Sequence, residues 1–175
     1  MSVAVAATFL SHWHYRVEDM PKTSAAFYTD VERALAALNL EGTKVERVNL
    51  HEGGLLSAKR EYLQVRRNEH VFHICAAPFG KGFFVSWWLG EVRSGLVAFL
   101  AALPFIGRFI AWLWDTAKPV TYYRVDTALM FQTATHAAVM EAVEAAIDLA
   151  GSRALTTQEK QPLMRDFFAQ LAGGR

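Results

Sequence analysis

Six histidines and a single cysteine are the residues best equipped for chemistry, and two short stretches concentrate them. In "HWH", His12 and His14 stand two apart, and in "HIC" His73 and Cys75 do the same. Each pair shares one face if its segment is a strand. Three imidazoles and one thiolate make a tetrahedral zinc set in principle, but neither gap matches the spacing of a familiar zinc motif. A lone Cys inside "VFHICAA" is expected to be a small core hydrophobe, so no metal and no cofactor is expected. A catalytic His73–Cys75 pair fares no better. Same-face strand neighbours stand about 7 Å apart, too far for the imidazole to take the thiol proton. "NLHEGG" lacks the second His of a metalloprotease helix, and "FGKGFF" lacks the spacing of a phosphate loop. One chemical alternative is retained, a ligand-binding or hydrolytic pocket near His73, Cys75 and Trp87, close to the aromatics Phe83 and Phe84.

Composition narrows the classes further. Among 175 residues, 18 basic side chains face 17 acidic ones for a net charge of +1, so no nucleic-acid partner is expected. "KREYLQVRR" gathers basic residues, but Glu61 and Glu69 dilute them into an ordinary solvated strand face. One cysteine cannot close an intramolecular disulfide, which suits a reducing compartment. "MSVAVAATFLSHWHYR" carries no basic residue ahead of its short apolar run, so a secretion signal is not expected and the domain is expected on the cytoplasmic side.

The elements that must position these residues follow from periodicity. In "TSAAFYTDVERALAALNLEG", Ala26, Phe27, Val31, Leu35 and Leu38 recur at three- and four-residue steps, predicting a first helix stopped by Gly42. "TKVERVNL" reads as a weak strand. "AKREYLQVRR" and "VFHICAA" read as strands joined by a turn at "RNEH", with Pro78 ending the second. "FGKG" predicts another turn, and "FFVSWWLG" an aromatic strand. "VTYYRVDTALMFQTAT" is expected to form one further, bent strand. Thr135 then caps a helix over "HAAVMEAVEAAIDLA" that ends at Gly151, and Thr157 caps a last helix over "TQEKQPLMRDFFAQL". Arg124 and Asp126 share a face if this segment is a strand, but solvated strand charges are the expectation there. The sum is one α+β domain over 1–175, an antiparallel sheet of about five strands with helices on one face.

The most informative stretch lies between Arg93 and Lys118, "RSGLVAFLAALPFIGRFIAWLWDTAK". As a helix, Leu96 to Trp114 would measure about 28 Å, close to a hydrocarbon core of about 30 Å. Its Leu, Ile, Val and Phe residues favour insertion by about 3–6 kcal/mol. Arg108 near the middle costs roughly 2.5–3.5 kcal/mol, and Pro104 and Gly107 break the helix besides, so a straight span nets near zero. "PFIG" divides the stretch into two apolar pieces that suit one leaflet, with Arg108 snorkelling to the headgroups. An apolar helical hairpin over 94–116, inserted between two strands, is therefore expected. Its contact residues are Leu96, Phe99, Leu100, Leu103, Phe105, Ile106, Arg108, Phe109, Trp112 and Trp114. They would meet membrane lipid or a protein partner, the latter as a homo- or hetero-oligomer. The expected function is non-enzymatic: a membrane-associated adaptor, effector or assembly subunit.

Overall fold

The β-favouring aromatic run "GFFVSWWLGE" forms a strand, and in the computed structural model it lies side by side with "TFLSHWHYRVE". The structure describes residues 8–51, 59–92 and 121–164. In chain order the elements are β1 (Thr8–Glu18), α1 (Ser24–Ala37), β2 (Thr43–His51), β3 (Lys59–Arg67), β4 (His70–Phe79), β5 (Gly82–Glu91), α2 (Tyr122–Ala150) and β6 (Leu163–Met164). The sheet runs β2-β3-β4-β5-β1-β6 with every neighbouring pair antiparallel. Among the described residues, β1 to β5 span 9 to 11 residues each and β6 is an edge of two. The two described helices pack on one face, so the architecture is α+β.

The central hairpins form where turn chemistry allows. Asn68 adopts φ 53° between β3 and β4, and Gly80 adopts φ 62° between β4 and β5. Pro78 lies inside β4 and does not end it, pairing with Phe83. It is tolerated because β3 has stopped pairing by Ile74, which leaves that edge of β4 without a ladder for the missing N–H to break. The first helix starts as predicted, with Thr23 Oγ1 accepting from the Ala26 N–H. Its stop is Asn39, in the left-handed region, and Gly42 belongs to the turn into β2. The buried stripe is Phe27, Tyr28, Val31, Ala34 and Leu35, while Ala26 and Leu38 face outward.

Tyr28 does more than fill space. The β3–β4 ladder ends at Leu63↔Ile74, and the next partners in register would be Glu61 and Ala76. There the Tyr28 hydroxyl sits between the strands, donating to the Glu61 carbonyl at 2.8 Å and accepting from the Ala76 N–H at 3.0 Å. A phenol from the helix layer thus replaces one backbone bond, and the strands splay below it. Burial holds the phenol pKa well above its ordinary value, with the Ala76 N–H opposing.

The largest departure from expectation follows residue 120. "YYRVDTALMFQTAT" is no strand; it is the first half of α2, a single helix of 29 residues. Thr121 is the cap, its Oγ1 accepting from the Arg124 N–H, and Thr135 lies fully buried in mid-helix. The buried stripe here passes through Ala128, Phe131, Gln132 and Thr135, so two polar residues interrupt the apolar period that identifies a helix. Gln132 is satisfied by the Ser11 hydroxyl, 2.6 Å from its Oε1. Gly151, at φ 62°, ends α2 as expected. The last predicted helix is also replaced through residue 164. Thr156 and Glu159 cap a single turn reciprocally, and the chain then extends into β6 along Ser11 and His12. Residues 165–175 lie outside the described residues.

His136 pins α2 to the sheet. Trp87 Nε1–H donates to its Nδ1 at 3.1 Å, and its Nε2–H donates to the Lys160 carbonyl at 2.8 Å, which fixes the neutral tautomer.

Two predictions follow from these contacts. Tyr28→Phe leaves the Ala76 N–H and the Glu61 carbonyl without that bond, and urea unfolding is expected to show a loss of about 1–3 kcal/mol. Burial lowers the His136 pKa, with the Lys160 carbonyl opposing, so the unfolded chain takes the proton more readily than the folded one. Stability is then full above pH ~6.5 and falls as the pH drops below it. Urea midpoints measured from pH 8 to 5 should show that fall in the native chain and a shallower one in His136→Gln; equal slopes would assign it to another group.

Candidate functional site

One end of the sheet gathers charge around the borders of residues 93–120. Glu91 closes β5, Glu69 and His70 lie at the β3–β4 turn, and Arg124 occupies the first turn of α2. Arg124 Nη2 donates to both oxygens of Glu91, at 3.0 and 3.2 Å, and Nε donates to Glu69 Oε1 at 3.3 Å. The Val92 N–H donates to the Glu69 carbonyl at 2.8 Å. The last described residue before the apolar stretch and the helix that follows it are therefore both tied to Glu69. These side chains are between a fifth and a third exposed, so the ion pairs are worth about 1 kcal/mol each at most. Their value lies in position.

This clasp was not anticipated. Arg124 pairs across the chain with Glu91 and Glu69, where a solvated strand charge had been expected. The only sequence signal is opposite charge at the two borders of an apolar stretch. The contact residues expected within that stretch, from Leu96 to Trp114, lie outside the described residues. Because α2 follows them, 94–116 sits between a strand and a helix, where an insertion between two strands had been expected.

Exposed aromatics surround the same end. Phe9, opposite Gly90, meets Trp88 edge-on with centroids 5.4 Å apart. Tyr122 and Tyr123 are 90% and 80% exposed beside the clasp. Among the described residues, no helix is long and apolar enough to cross a membrane.

The residues singled out for chemistry lie mostly on the sheet face away from α1 and α2. His12 stacks on Trp88 at 4.5 Å, and His14 stacks near Phe84 at 6.1 Å. With Arg60, Tyr62, Cys75 and Ser86 they line a cavity of about 450 Å³ where β3 diverges from β4. His73 and Cys75 share that face but do not engage each other. His73 Nε2 lies 3.1 Å from Gln64 Oε1, while Cys75 is buried against Arg60 and Tyr62. Burial pushes the Cys75 thiol up, and the Arg60 guanidinium opposes that shift. A buried, protonated thiol is a poor nucleophile. Trp87 points the other way into the core with Phe83, so the pocket expected from His73, Cys75 and Trp87 does not form as such; Trp88 is the residue on that face.

His12, His14, His73 and Cys75 do not converge as a metal site. Among the described residues, the one group of three such side chains with ligand atoms in reach of one another is Glu69, His70 and Glu91, within 4.8 Å. Compared with known proteins, the chain matches no family model, no curated protein and no solved structure.

Proposed function

We propose that the protein is a non-enzymatic, membrane-surface domain, an adaptor or assembly subunit, that docks through residues 94–116. The observation that carries this reading is the clasp. Val92 and Arg124 bracket the apolar stretch and both bond to Glu69, so an intact domain keeps the two ends of the stretch on one side of any bilayer. A single span would separate them. Two apolar pieces divided at Pro104 and Gly107 fit one leaflet, and Arg108 reaches the headgroups when they lie flat. Tyr122, Tyr123 and Trp88 add amphipathic rings, and Phe9 an apolar one, at the level where a headgroup layer would meet the domain. The free thiol of Cys75 suits a reducing compartment, which puts the docked domain on the cytoplasmic side in this reading.

Liposome flotation of the full chain beside a variant with Leu100, Phe105, Phe109 and Trp112 changed to Ser tests it, with circular dichroism to verify the variant's fold. The native chain is expected to float with vesicles and the variant to remain at the bottom of the gradient. If neither floats, and light scattering finds a native oligomer that the variant loses, the stretch joins protomers and the membrane reading falls. Flotation of both chains would place the lipid contact elsewhere.

A further inference from the structure

His70 opens β4 beside the clasp with its side chain 4% exposed. Its Nε2 is buried and makes no hydrogen bond. The Glu91 Oε1 lies 3.6 Å away, beyond hydrogen-bond distance. A buried polar atom left in this state is costly, and a bound ligand would relieve it. The surrounding atoms indicate which ligand. One oxygen from each of Glu69 and Glu91 and the His70 nitrogen lie within 4.8 Å of one another. Two donors each about 2.0–2.1 Å from a shared zinc stand about 3.4 Å apart at the tetrahedral angle. The His70–Glu91 separation is already close to that value.

We propose that Glu69, His70 and Glu91 form a zinc-binding site, one ligand atom from each, with the remaining position open to water. The imidazole favours zinc over magnesium or calcium, which take oxygen donors, and the two carboxylates supply the charge. Arg124 competes for the same carboxylate oxygens, and the arrangement accommodates both. Each carboxylate offers about four lone-pair sites, so it can hold the metal while accepting from Arg124. Outer hydrogen bonds of that kind orient ligating carboxylates. Zinc there ties β4, the β3–β4 turn and the end of β5 together at the root of residues 93–120, whether or not that stretch meets lipid.

Calorimetric titration of the metal-free full chain with Zn²⁺ tests the site, with Co²⁺ absorption reporting the coordination geometry. One equivalent is expected to bind the native chain. His70→Gln should weaken it by at least about tenfold, and so should Glu69→Gln, whose partly exposed position keeps the test usable if the His70 variant misfolds. A paired His12→Gln, His14→Gln variant should bind as the native chain does. Absence of Zn²⁺ binding by the native chain overturns the proposal. So does binding that survives both clasp variants, or that is lost with His12 and His14, which would mark an adventitious ion at the open sheet face.

Discussion

Arg124 lying between Glu91 and Glu69 is the contact on which the geometry of this protein turns, because it holds the start of α2 against the end of β5, the two described borders of a long apolar stretch. The pairs are partly solvated and weak, worth about 1 kcal/mol each. Closing a loop the length of residues 93–120 costs about 3 kcal/mol in chain entropy. Ion pairs alone would barely offset that. The burial of Phe131, Val139, Val143 and Ile147 along α2 decides the balance, since each fully buried side chain contributes about 1.5–3 kcal/mol. Helix packing supplies the strength, and the guanidinium sets the place. Glu69 is the common anchor, holding Val92 through its carbonyl and Arg124 through its carboxylate.

The two faces of the sheet divide the labour. On the core face, Phe83, Phe72, Trp13 and Trp87 meet Phe27, Phe131 and His136 from the helices, with few polar atoms to satisfy. Where polar atoms do enter, Gln132 pairs with Ser11, Tyr28 with two strand backbones and His136 with Trp87 and Lys160, while Thr135 Oγ1 is buried without a hydrogen bond. The opposite face carries His12, His14, Trp88 and Cys75, displaced from the core by the period-2 geometry of a strand. Adjacent tryptophans thereby take opposite roles, Trp87 buried and Trp88 exposed.

The sheet hairpins were legible because their signals are local. "RNEH" and "FGKG" carry turn residues between alternating runs, and both turns form where expected. Helix α1 was legible from Phe27, Val31 and Leu35 at helical spacing. The first half of α2 was not, since Val125, Tyr123 and Thr127 favour strands and the buried stripe includes Gln132 and Thr135. Tertiary packing against Phe72 and Ser11 overrides that local preference. The first strand went unread because Ser11 turns to the core, where Gln132 holds it, and a register shift between Phe9 and Ser11 breaks the alternation of "TFLSHWHYRVE". The clasp lay beyond local reading altogether. Arg124 and its carboxylates are far apart in the chain, and only the pairing of β4 with β5 brings Glu69 and Glu91 together.

The most direct test of the proposed docking asks whether the two borders of the apolar stretch lie on one side of a bilayer. In a Cys75→Ala background, Ser94→Cys and Lys118→Cys variants bound to sealed vesicles would be treated with a membrane-impermeant maleimide, before and after detergent. Labelling of both positions from outside, without detergent, is the result this account predicts. If either position reacts only after the vesicles are opened, the stretch crosses the bilayer and the clasp does not govern its path.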